Sequence, residues 1–129
     1  MRLFVADAGE LTAGDERTVR VAAPDLQQAR RARTRIHAGA ADVAVILDVT
    51  VAVARDFRSA RKALEPVAGM ASVRYAGTVD GLAGLIADID LAGVADGVTL
   101  IPALPRQDLR ALGRDVLHRL ASRRQARAS

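Results

Sequence analysis

The run "VAVILDVTVAVA", residues 43–54, limits the fold more than any other stretch of this chain. Its first five residues are all apolar, three of them β-branched. A strand of that kind has no polar side, so both of its faces need cover, as in the parallel strands of layered α/β proteins. The whole run is too long for one ordinary strand. At ~3.3 Å per residue it would span about 40 Å, roughly twice the usual length. A bend is therefore expected at Asp48 or Thr50.

Other β-branched runs lie at 17–24 ("RTVRVAAP") and 97–102 ("GVTLIP"), with further candidates at 2–8 and 72–77. Helical periodicity fills the intervals. Asp25 caps a segment with Leu26, Ala29, Ala32 and Ile36 on one face. Asp56 caps a second, with Phe57, Ala60, Leu64 and Val67, which Pro66 ends or bends. Thr78 caps a third, with Leu82, Leu85, Ile86 and Ile89, and Gly93 is its expected stop. A fourth starts after Pro105 and aligns Leu109, Leu112, Val116 and Leu120. Strand and helix alternate, which predicts right-handed βαβ units and a mainly parallel sheet.

Composition narrows the function. The 129 residues suit one domain, expected over 1–118. There is no cysteine, so disulfides and thiolate metal sites are excluded. No apolar run reaches the ~18 residues of a membrane span, and a cytoplasmic setting without membrane contact is expected. The net charge of +4 sits in one place. Residues 119–129 hold Arg119, Arg123, Arg124 and Arg127 and no acid; without those four, basic and acidic residues are equal in number. That segment reads as a frayed, solvated tail, and with three aromatic residues in the whole chain no specific nucleic-acid surface is expected.

The familiar chemical motifs are missing. The sequence has no G-x-x-x-x-G-K-[ST], no G-x-G-x-x-G and no G-x-S-x-G. His37 and His118 have no partner at metal-ligand spacing; Asp115 and His118 are expected to form a surface pair. Asp88 and Asp90 fall on different helix faces and read as solvated. Asp48, inside an apolar run, is either paired or placed at the bend. No catalytic residue and no metal ligand emerges. What remains is the rim where βα loops meet helix N-termini, with Pro24-Asp25, Gly77-Thr78 and Ile101-Pro102-Ala103 as candidates. Thr78 can offer an anion its hydroxyl and amide, or serve only as a cap.

The stretch "YAGTVDGLAGLIADIDLAGVADGVTLIPALPRQDLRALGRDVLHRL", residues 75–120, resembles the C-terminal end of the luciferase-like flavin-dependent monooxygenases. Gly77, Thr78, Gly93, Asp96, Gly97, Leu100 and Pro102 match that family's pattern. "VAAPDLQQARRAR" and "VILDVTVAVARDFRSARKAL" resemble its preceding strand and helix segments, so the likeness covers most of residues 17–120. Val79-Asp80 stands where the family has Pro-Glu.

The resemblance implies a partial, TIM-barrel-like (β/α) fragment with helices on one side of the sheet, since a whole barrel takes ~250 residues. It also implies a truncated oxidoreductase homologue. Such a chain would bind FMN or a deazaflavin, through Gly77, Thr78, Ile101 and Pro102, as a homodimer or with a partner chain that completes the barrel. The alternative is a non-catalytic dimerisation or interaction module derived from such a barrel.

Overall fold

The computed structural model describes residues 1–53, 73–103 and 107–128. The helix expected after Asp56, with its stop at Pro66, and Pro105 lie outside the described residues. Nine elements follow in order. They are β1 (Arg2–Val5), β2 (Gly9–Glu10), β3 (Thr18–Val21), α1 (Leu26–Gly39), β4 (Ala44–Val53), β5 (Val73–Gly77), α2 (Val79–Leu91), β6 (Gly97–Pro102) and α3 (Leu109–Ala128).

The strands form one sheet that curls into a half-barrel, in the order β2-β1-β6-β4-β3 with β5 also paired to β4. The expected mainly parallel sheet is corrected to a mixed one. β1 turns back on β2 in an antiparallel pair, whereas β1–β6, β6–β4, β4–β3 and β4–β5 are parallel. The reversal arises at Gly9, whose φ of +82° suits a tight turn that most residues resist.

The expected bend in the long run is absent. β4 is one ten-residue strand, and its length has another use. One edge holds β6 over Ile46–Val51, and the other holds two strands in succession. β3 pairs with Ala44–Leu47 and β5 with Val49–Val53. Asp48 stands where the neighbour changes.

Alternation divides the sheet into two faces. Register aligns Leu3, Val98 and Leu47, then Val5, Leu100 and Val49. These six share one core with Ala29 of α1, Leu82, Ile86 and Ile89 of α2, and Leu109 and Val116 of α3. The three described helices thus serve a single face. The opposite, inner face carries Phe4, Ile46, Asp48, Thr50, Thr99 and Ile101. Ile46, Thr50 and Thr99 are buried there as well, which is why the "VAVIL" stretch is apolar on both sides.

Caps fall where the sequence places them. The Asp25 carboxylate accepts from the Gln28 amide at 2.8 Å, and the Thr78 hydroxyl from the Gly81 amide at 3.1 Å. α2 ends in a Schellman turn: Val94 N–H donates to Ile89 C=O, Gly93 N–H donates to Asp90 C=O, and Gly93 takes φ +66°. α3 runs on to Ala128, so the segment expected to fray is helical. Arg119 and Arg123 lie 3.5 Å from Asp80 of α2, and Arg119 also pairs with Asp115 at 3.0 Å. Asp115 therefore has Arg119, not His118, as its partner.

Candidate functional site at the C-terminal rim

Parallel strands end on the same side, so β1, β3, β4, β5 and β6 bring their C-termini to one rim. All three described helices start there. Gly77 closes β5 opposite Val53, and Pro102 closes β6 opposite Val51. The four residues singled out from sequence, Gly77, Thr78, Ile101 and Pro102, thus flank the last turns of a single strand, β4. With strands ~4.8 Å apart, the two groups face each other across roughly 10 Å.

On the β5 side, Tyr75 fixes the backbone. Its hydroxyl donates to Thr78 C=O at 2.7 Å. A Cβ at Gly77 would lie 2.6 Å from that hydroxyl, and one at Gly81 would collide with it. Gly77 also has φ +155°. Only glycine lets the phenol close over the start of α2. Thr78 is occupied in turn: its hydroxyl caps Gly81, and its carbonyl accepts from Tyr75 and from the Leu82 amide.

On the β6 side, Ile101 lies on the inner face beside Thr50, and Pro102 is exposed. Ala103 N–H donates to Val51 C=O at 2.9 Å. Gln107 then extends the edge of β4, accepting from Val53 N–H at 3.0 Å and donating to Val51 C=O at 3.3 Å. Nothing in a single sequence marks Gln107 for this; its position just ahead of a helix cap is the only hint.

The three helix starts differ in charge. α1 is capped by the Asp25 carboxylate and α3 by that of Asp108, which accepts from Ala111 N–H at 3.0 Å. A carboxylate there satisfies the positive end of the helix and repels a second anion. α2 alone is capped by a neutral hydroxyl, and the one acid in its first turn, Asp80, faces Arg119 and Arg123. Of the three, α2 is the start best suited to a phosphate.

The inner face below the rim is polar at its centre. Asp48 accepts from Arg20 Nε at 2.8 Å, with 17 % of its side chain exposed. Of the two readings of Asp48, pairing is the one observed. Thr50 and Thr99 lie on the same face, buried.

A second polar cluster sits at the opposite end of the strands. Asp96, just before β6, accepts from Arg33 Nε and Nη2 at 3.1 and 2.9 Å and from Val45 N–H at 2.8 Å. His37 Nε2 lies 3.2 Å from the same carboxylate and donates to Val43 C=O at 3.0 Å. Burial acts to raise the Asp96 pKa, but the Val45 amide and the Arg33 guanidinium outweigh it and hold the carboxyl below its ordinary value. This cluster joins α1, β4 and β6 at the end of the strands away from the rim. It accounts for His37 without a metal or a substrate.

Among the described residues, no group of three or more His, Cys, Asp or Glu is placed to hold a metal ion, and no helix is long and apolar enough to cross a membrane. No family model matches the sequence, and no curated protein is significantly similar to it.

Proposed function

We propose that the chain is a partial (β/α)-barrel homologue of the luciferase-like flavin-dependent monooxygenases. Its C-terminal rim takes the phosphate-bearing end of FMN or a deazaflavin when a second copy or a partner chain completes the wall. One observation carries the reading: β3, β4, β6 and β1 lie side by side in parallel, and α1, α2 and α3 all pack on one face. A barrel wall shares the parallel strands and the one-sided helices, although it sets its strands in chain order, whereas β6 here lies between β1 and β4. The β5 strand and the hairpin to β2 are additions at its edges. The neutral cap of α2 supports a phosphate beside Gly77 and Thr78, with Ile101 and Pro102 across β4 offering apolar contact to a ring.

In such a site the flavin supplies the redox chemistry and the protein supplies orientation and dryness. This chain's contribution is binding, since none of its residues is assigned a catalytic role. The test is titration of FMN, and separately of the deazaflavin, into the chain while flavin fluorescence and sedimentation are followed. Saturable quenching that accompanies assembly is expected. An assembled species that leaves the flavin signal unchanged at high micromolar protein refutes the reading.

The second reading, a non-catalytic dimerisation or interaction module derived from such a barrel, is favoured by the carboxylate caps of α1 and α3. They leave two of the three helix starts unsuited to an anion. Assembly without any flavin response is its signature.

A further inference from the structure

β3 is a sheet edge with one side unpaired among the described residues. In a parallel ladder, alternate residues turn both backbone groups toward the same neighbour. Arg17 C=O accepts from Ala44 N–H at 2.7 Å, so residues 17, 19 and 21 face β4. Thr18, Arg20 and Ala22 turn their N–H and C=O groups outward, and all three are exposed.

Beside the end of this edge lies a cavity of about 230 Å³ between residues 21–24 and α1. Arg31 and Arg35 line it, one helical turn apart, with Gln28 on the same side. Neither guanidinium has an ion pair among the described residues, and neither has Arg17. The nearby acids are committed: Asp25 holds the Gln28 amide and side chain, and Asp48 holds Arg20. A row of free backbone groups and a cationic cavity thus adjoin.

We propose that the β3 edge takes an extended, acidic segment of a partner protein as an added strand, with one Asp or Glu of that segment held between Arg31 and Arg35. Backbone pairing gives such a mode its affinity, and the cavity gives it selectivity for a carboxylate. A second copy of the chain fits less well. Two-fold antiparallel pairing of β3 centred on Arg20, the register that pairs the most outward groups, sets Arg20 against Arg20, and like charges directly opposite destabilise a pair. The inference rests on the reading of the chain as an incomplete wall, because that reading leaves the edge open. It does not require flavin.

The experiment uses the full chain and two labelled synthetic peptides, one alternating Glu with Val and one alternating Lys with Val. Binding is read by fluorescence anisotropy, and site by amide hydrogen exchange. Saturable binding of the Glu peptide alone is expected, with slowed exchange at Thr18, Arg20 and Ala22. Arg31→Glu with Arg35→Glu should weaken it about tenfold or more. Thr18→Pro removes an outward N–H and no β3–β4 bond, so it should weaken binding while the melting temperature is kept.

Equal binding of both peptides, protection elsewhere, or no saturation at high micromolar peptide overturns the proposal. So does protection of these amides by self-association before peptide is added. In the third case the arginines only guard the edge against pairing. A flavin response that survives any of these results separates failure here from failure of the wall reading.

Discussion

Replacing Asp96 tests whether the cluster at the N-terminal end of the strands holds α1 and the sheet together. In Asp96→Ala the Val45 N–H, on a residue 1 % exposed, loses its acceptor. A buried donor left without a partner costs about 1–3 kcal/mol. The Arg33 fork loses its carboxylate as well. That ion pair keeps about a quarter of each side chain in water, 29 % for Arg33 and 25 % for Asp96, so about 1 kcal/mol is assigned to it. The sum is about 2–4 kcal/mol, and for a chain of this size the melting temperature should fall by roughly 8–16 °C. Asp96→Asn keeps an acceptor for Val45 and loses the charge, so it should cost about half as much.

The pH dependence follows from the lowered pKa of Asp96. An unfolded Asp titrates near ~3.9. With the folded value below that, the contribution is fully present above the unfolded value and is lost as pH falls through the folded one. The gap between wild type and Asp96→Asn should therefore be constant near neutrality and close in acid. Circular dichroism melts of the three proteins across this range measure it. A change of less than ~0.5 kcal/mol in Asp96→Ala, or a gap that widens in acid, refutes the argument.

Two further substitutions probe the rim. Gly81→Ala should gain ~1 kcal/mol of helix propensity and lose more, because the new methyl meets the Tyr75 hydroxyl. In a Tyr75→Phe background the loss should shrink by about 1 kcal/mol or more, which a double-mutant cycle of unfolding free energies reads directly. Gln107→Ala leaves Val53 N–H without its acceptor, while Val51 C=O keeps the Ala103 N–H. It should cost about 1–2 kcal/mol and speed amide exchange at Val53, and an unchanged exchange rate there would show that the carboxamide is dispensable.

What the sequence reveals and what it hides differ in kind. Periodicity locates α1, α2 and α3 because each turns apolar residues at helical spacing inward: Ala29 with the half-buried Leu26, then Leu82, Ile86 and Ile89, then Leu109 and Val116. Gly93 and Thr78 announce the ends of α2 because a positive φ and a free amide each demand a particular residue type. Pairings across long separations leave no such local mark. Arg20 and Asp48 are 28 residues apart, and Arg33 and Asp96 are 63 apart. Only the strand order makes either pair neighbours. The unbent β4 was hidden for the same reason. Its length looks excessive for a strand with one neighbour per edge, and becomes ordinary once β3 and β5 share an edge end to end. The four rim residues were legible as turn and cap chemistry, but that they flank one strand follows from register alone.

The two ends of the parallel strands differ in how their polar groups are held, and this bears on where a ligand could bind. At the N-terminal end, one carboxylate answers an amide and a guanidinium, with an imidazole close by; a ligand there would have to break that cluster before binding. At the C-terminal end, separate side chains satisfy the backbone: a hydroxyl at Thr78, a carboxamide at Gln107, carboxylates at Asp25 and Asp108. The Thr78 hydroxyl holds one amide, so its exchange for a ligand atom costs about one hydrogen bond, ~1 kcal/mol. Thr78 is the exchange that favours an anion, because the displaced group is neutral and the helix behind it is positive at that end. Asp25 and Asp108 already hold their helix starts with a negative charge, so a phosphate gains little there. A flavin phosphate that binds this rim should therefore slow amide exchange at Gly81 before it does so at Gln28 or Ala111.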